Sequence, residues 1–140
     1  MPFTKIFIHV VWGTKNRQPA LIPDKLALVI DHIKKNALIK GIYLIAINGH
    51  VDHLHCIISL NRDVSISKTM QLIKGESSFW ANKEKIFPFH FEWADEYYAA
   101  SISESHLQKV RYYIANQKKH HEKKNFMEEC KDIFDNHRFG

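Results

Sequence analysis

The sequence predicts an α+β domain: an antiparallel sheet with helices on one face, followed by a further helix at the C-terminal end. Three observations predict it. The apolar period switches several times between two residues, as in strands, and about 3.6, as in helices. The segments so defined run in the order β-α-β-β-α-β-α-α. With 140 residues, 45% hydrophobic and 25% charged, and with only 5 Gly and 4 Pro, the chain suits a single packed core. Collagen-like and wholly disordered chains are excluded by the same figures.

Each element has its own signal. Residues 5–12 alternate as a first strand, with Ile6, Ile8, Val10 and Trp12 on one face. Pro23 and Asp24 open a helix whose buried stripe is Leu26, Val29, Ile30, Ile33 and Ala37, and Gly41 closes it. Residues 42–48 and 53–60 form two strands joined by the turn Gly49-His50-Val51-Asp52, a hairpin. Ser65 and Ser67 start a second helix that runs to about Ala81, with Ile66, Met70 and Ile73 along its apolar side. The aromatic stretch Phe87–Trp93 reads as a fourth strand, with Pro88 favouring its edge or start. Ser103 caps a third long helix over 104–121, and Ser101 with Glu104 offers a capping box one register earlier. Phe126, Met127, Cys130, Ile133 and Phe134 mark 122–140 as a docked amphipathic tail helix. The first six elements match a ferredoxin-like or RRM-like split βαβ sandwich. The whole chain, 1–140, is one domain.

Composition narrows function less sharply. A net charge of +5 leans toward polyanions. No window reaches the ~18 apolar residues of a membrane span, and the N-terminal apolar run lacks the small-residue cleavage site of a signal peptide. Cys56 and Cys130 are too few for a disulfide framework, which fits a reducing cytoplasm. Ten histidines are the unusual feature, because histidine is chiefly a residue of sites.

Two segments carry the chemistry. In Val51-Asp52-His53-Leu54-His55-Cys56-Ile57-Ile58-Ser59-Leu60, the side chains of Leu54, Cys56, Ile58 and Leu60 share an apolar face. His53 and His55 share the other. They are either exposed strand histidines on the solvent side of the sheet or a pair that ligates one divalent metal. In the helix after Ser103, Leu107, Val110 and Ile114 define the buried stripe. Tyr113, Gln117 and His120 run beside it, while Tyr112 points away. Tyr113 is then either a boundary tyrosine packing its ring or a group that meets a metal held by the histidines. His120 and His121 near the helix end also suit its dipole.

Together these segments carry a resemblance. His53-Leu54-His55 resembles the His-hydrophobic-His (HUH) motif of the HUH endonucleases. Tyr113-Ile-Ala-Asn-Gln117 with His120-His121 resembles the nucleophile helix of single-tyrosine insertion-sequence transposases, including the REP-associated tyrosine transposases. Trp12-x-Thr14-Lys15-x-Arg17-x-Pro19, Lys74-Gly75-x-Ser77-Ser78, Trp93, Tyr97, Ala99, Ser101-Ile102-Ser103-Glu104-Ser105 and Phe126-x-Glu128-Glu129 extend the match across nearly the whole chain. Glu96 and Tyr98 depart from it, standing where relatives carry glycine, and Ala94 replaces a glutamine.

The resemblance implies metal-dependent cleavage and joining of single-stranded DNA at hairpin-bearing element ends. Tyr113 would be the nucleophile, and His53, His55 and Gln117 would hold Mg²⁺ or Mn²⁺. A tyrosine with pKa near ~10 needs such activation. Two imidazoles suit Mn²⁺ better than Mg²⁺. Lys15, Arg17, Lys74, Arg111, Lys118 and Lys119 would contact phosphates, Trp12, Trp80 and Tyr112 would offer stacking platforms, and His120 would be auxiliary. Relatives are homodimers, and a flexible segment near 94–103 would let the helix complete either subunit's site. A nucleoid-associated location in the cytoplasm follows. Two rivals remain: an RRM-like single-strand binding module without catalysis, and a metal-dependent phosphodiesterase using activated water.

Overall fold

The computed structural model describes residues 2–116 and Lys131. In chain order these form β1 (Phe7–Gly13), α1 (Pro23–Ile39), β2 (Tyr43–His50), β3 (His53–Ser59), α2 (Ile66–Lys83), β4 (Tyr98–Ile102) and α3 (Leu107–Ala115). Single 3-10 turns lie at Lys15–Arg17 and Glu104–His106. The strands make one antiparallel sheet in the order β2-β3-β1-β4, so the two central strands are the first and third. This is the α+β split βαβ architecture expected.

Alternation along the strands gives the sheet two apolar faces. On one, Ile8, Val10 and Trp12 of β1 and Leu54, Cys56 and Ile58 of β3 meet Val29 and Ile33 of α1 and Met70, Ile73 and Ala81 of α2. Each large side chain buried there contributes roughly 1.5–3 kcal/mol. On the other face, Ile57 and Ile102 pack under Val110 and Ile114 of α3, with Phe7, Leu107 and Tyr113 around them. Helices therefore cover both sides, α1 and α2 on one and α3 on the other.

Local chemistry sets the element ends. Pro23 occupies the first turn of α1, where a missing N–H costs nothing. Gly41 after its C-cap has φ +70°, a conformation an L side chain resists. Ser65 Oγ accepts from the Lys68 N–H at 3.0 Å and caps α2. The β2–β3 connection is tighter than the expected turn: His50 already pairs with His53, leaving Val51-Asp52 as a two-residue loop. Phe7 is the first residue of β1, and Ile6 before it is 44% exposed.

Two expectations are corrected. Phe87–Trp93 is not a strand; apart from one bridge between Thr14 and Trp93 it pairs with nothing in the sheet. Phe87, Phe91 and Trp93 turn into the core instead, while Phe89 stays exposed. Phe87 and Phe91 stack at 4.6 Å, and Phe91 meets Trp93 edge-on at 4.8 Å. Asn82 of α2 fixes the segment by accepting from the Phe91 N–H at 2.8 Å and donating to its carbonyl at 2.9 Å. The edge strand is β4, drawn from the stretch expected to be a flexible connector. The helix expected over 104–121 begins as a 3-10 turn, and α3 itself ends at Ala115, because Asn116 leaves helical geometry at ψ 34°. Ser103 makes no capping bond to the backbone, and Ser101 lies inside β4 rather than in a capping box. The expected tail helix, 122–140, lies outside the described residues except for Lys131.

Candidate active site

The face of the sheet beneath α3 carries polar side chains that an apolar interface would not require. His53 and His55 alternate with Leu54 and so point together, and both are fully buried. This excludes the reading of exposed strand histidines. Their ring centroids lie 5.1 Å apart.

Each ring is fixed through Nδ1. His53 Nδ1–H donates to Asp52 Oδ1 at 2.8 Å, and Arg17 Nε donates to the other oxygen, Oδ2, at 3.3 Å. Burial alone would raise the Asp52 carboxyl. Its hydrogen bond and charge interaction with His53, together with those of Arg17, outweigh burial and hold it below its ordinary value of 3.8. Asp52 is therefore a carboxylate at neutral pH, an acceptor for both neighbours. His55 Nδ1 lies 2.9 Å from Nε2 of His9, a third buried histidine, on β1.

Neither Asp52 nor His9 was singled out from the sequence. The alternation that sets Ile8, Val10 and Trp12 on the helical face puts His9 on the opposite one. A signal was thus present, but it becomes a contact only once β1 and β3 are known to be neighbours. Asp52 was hidden as a turn residue.

Tyr113 completes the constellation. It is half-buried at the border of the α3 stripe, with its ring 5.9 Å from His55 and 6.5 Å from His9, both edge-on. Tyr112 is 67% exposed and faces away. Asn48 of β2, directly across from His55, donates from Nδ2 to the carbonyls of Ile114 at 3.1 Å and Ala115 at 3.4 Å. Those carbonyls are among the last of α3 and lack helical partners. The strand pair that holds the histidines thus also holds the end of the tyrosine helix.

Among the described residues, no group of three or more His, Cys, Asp or Glu side chains is placed to hold a metal ion. His53 and His55 could supply two nitrogens, and a further ligand would have to come from elsewhere. Gln117, Lys118, Lys119 and His120 lie outside the described residues.

The remaining expected contacts fall around the rim. Lys15 is exposed and pairs with Glu92 at 2.7 Å. Arg17 serves Asp52. Lys74 Nζ donates to the backbone carbonyls of Asp95 at 2.9 Å and Glu96 at 3.4 Å, and its pKa is lowered by burial despite those two acidic residues. Arg111 is exposed on α3. Trp12, expected as a stacking platform, is fully buried against Trp93, with ring centroids 5.8 Å apart, and offers no face to a base. Trp80 stacks on His32 at 3.9 Å.

The fold and site define an α+β domain with paired histidines buried under a tyrosine-bearing helix, and comparison with known proteins gives its family. Residues 2–117 match the family described as "Transposase IS200 like", and the chain belongs to that family, whose members are enzymes acting on DNA. Among solved structures, the chain is similar to a candidate transposase from Deinococcus radiodurans R1. The two are 24% identical with a TM-score of 0.64, covering 83% of this chain and 93% of that one. It is also similar to a REP-associated tyrosine transposase bound to a REP hairpin, 17% identical with a TM-score of 0.61, covering 83% of this chain and 68% of that one. At these identities the likeness establishes the fold. A search of curated protein sequences returned no match. Among the described residues, no helix is long and apolar enough to cross a membrane.

Proposed function

We propose that this transposase cleaves and rejoins single-stranded DNA through Tyr113, with a divalent ion, Mg²⁺ or Mn²⁺, held by His53, His55 and Gln117. The observation that carries the reading is the burial of two adjacent imidazoles beneath the one half-buried tyrosine of α3. A surface histidine pair would have no reason to be covered by that helix. The donor set suits such an ion: each imidazole is oriented through Nδ1 and would ligate through Nε2. When bound, the ion would draw charge from the scissile phosphate.

The chain's own residues supply the rest. The Tyr113 hydroxyl attacks phosphorus and loses its proton. The bond from phosphorus to the 3′ oxygen breaks, and that oxygen leaves as a 3′-OH after gaining a proton. A 5′-phosphotyrosine remains, and because its bond keeps the energy of the phosphodiester, a second 3′-OH can reverse the step and join a new strand. Asp52, held ionised by His53 and Arg17 against the effect of burial, keeps His53 in one orientation. Asn48 holds the end of α3 over the site. Lys15, Arg17, Lys74, Arg111, Lys118 and Lys119 would contact phosphates, with Tyr112 as an exposed ring for stacking and His120 as an auxiliary group. The hairpin carried by the REP-associated neighbour supports hairpin DNA as the substrate here. We further propose a homodimer acting at the nucleoid.

The binding-module reading is disfavoured by the fold, since the sheet face it would use is covered by α3. The test is a covalent adduct. Incubated with a single strand carrying a hairpin and Mn²⁺, the protein should form a species that survives denaturing electrophoresis, and Tyr113→Phe or His53→Ala should form none. Cleavage without an adduct would favour activated water and overturn the proposal.

A further inference from the structure

The two candidate ligands are held by different acceptors, and the second has no counterpart in the motif that marks the site. His53 donates to a carboxylate, Asp52, at 2.8 Å. His55 Nδ1 lies at hydrogen-bond distance from an imidazole, Nε2 of His9 at 2.9 Å, and His9 is 1% exposed. The contact is built by the sheet. On β1 Val11 lies across from His55 and His9 across from Ile57, so His9 sits diagonally beside His55 on the same face. The rings are 5.1 Å apart and tilted by 38°.

We infer that His9 is a positioning residue for His55. An imidazole binds a metal through a bare nitrogen, so its one hydrogen must sit on the other nitrogen and needs an acceptor. For His55 to ligate through Nε2, the hydrogen must be on Nδ1 and must be donated to His9. His9 then carries its own hydrogen on Nδ1 and accepts at Nε2. The reverse arrangement, with His9 donating, would put the His55 hydrogen on Nε2 and close that nitrogen to an ion. Only the first is compatible with a metal-binding His55, so the inference rests on the proposed function above. It adds a division of labour: a charged acceptor orients one ligand and a neutral acceptor the other. Charge-assisted hydrogen bonds are about twice as strong as neutral ones, so the His55 side is the weaker arm of the site.

The experiment uses the full chain in wild-type, His9→Phe and His9→Gln forms. Phenylalanine fills the space without accepting a hydrogen bond. Glutamine places its amide oxygen near the lost Nε2. Calorimetric titration with Mn²⁺ should show affinity reduced ~10–100-fold in His9→Phe and largely restored in His9→Gln. In metal-free wild-type protein, ¹⁵N spectra of the imidazoles should place the His55 hydrogen on Nδ1. Unchanged Mn²⁺ affinity in a folded His9→Phe, or a wild-type His55 protonated at Nε2, overturns the inference. If His9→Phe does not fold, the glutamine variant and the wild-type spectrum still decide it. A wild-type protein that binds no Mn²⁺ would instead sink the proposed metal site, while the spectrum would separately report the His9–His55 arrangement.

Discussion

Tyr112 and Tyr113 are adjacent in sequence but about 100° apart around α3, and that angle separates a solvent-facing ring from one over the histidines. Their phenylalanine variants should therefore diverge. Tyr113→Phe removes the proposed attacking oxygen and leaves the ring packed on Val11 and Ile57, so the fold should persist while adduct formation disappears. Tyr112→Phe should cleave within about twofold of wild type, allowing for lost stacking on DNA. Parallel gels and circular dichroism check both, and an active Tyr113→Phe would end the nucleophile assignment. Gly49 is a second residue whose identity is dictated by space. A Cβ there would run into the His53 carbonyl and the Leu54 side chain and lie 3.2 Å from the Leu54 Cα. Because backbone cannot yield, Gly49→Ala should cost about 1–3 kcal/mol, read as a lower urea midpoint. Cleavage per folded molecule should fall too, since the crowded carbonyl belongs to a candidate ligand.

At the scale of elements, the short α3 is held by two different means. Its apolar stripe, Val110 and Ile114, packs on Ile57 and Ile102, and its last carbonyls are taken by Asn48. Removing that amide should cost about 1 kcal/mol of stability. The effect on chemistry should be larger, since loosening the helix end moves the tyrosine out of line, and small misplacements cost up to ~10²-fold in rate. Asn48→Asp should be worse than Asn48→Ala, because a carboxylate would face two carbonyl oxygens with no hydrogen to give. Urea melts and single-turnover cleavage separate the two effects. Equal losses of stability and rate in both variants would show that Asn48 is structural only. The edge strand teaches a related lesson. Phe87–Trp93 has stronger local strand character than Tyr98–Ile102, yet its rings are worth more buried against Trp12 and α2 than spread along a sheet edge.

For the molecule as a whole, both faces of the sheet are covered and the candidate site lies between β1, β3 and α3. The proposed attack by Tyr113 requires a splayed strand, which a paired duplex would keep stacked. We expect cleavage of a single strand with an imperfect hairpin and none of the same sequence as perfect duplex. The net charge of +5 is modest, and Lys15 and Lys74 are partly engaged within the protein. Binding should therefore weaken with salt at a slope of only about −2 to −4 in log–log terms, a few phosphate contacts. A filter-binding salt series measures the slope. Efficient cleavage of blunt duplex would contradict the single-strand reading.

The sequence by itself determined the features that depend on near neighbours. The order β1-α1-β2-β3-α2 follows from its periodicities, as do the shared face of His53 and His55 and the border position of Tyr113 beside an outward Tyr112. Local alternation and helical spacing set all of these. Tertiary structure decided what depends on which segments become neighbours. It chose Tyr98–Ile102 over Phe87–Trp93 as the edge strand, stopped α3 at Ala115, and buried Trp12, whose place on the helical face was legible although its full enclosure by Trp93 was not. It also brought His9, 46 positions away, within 2.9 Å of His55. Such contacts arise because strand pairing and core packing are settled between residues far apart in the chain. The free energy that selects them belongs to the assembled sheet and its covering helices, and no single segment carries it.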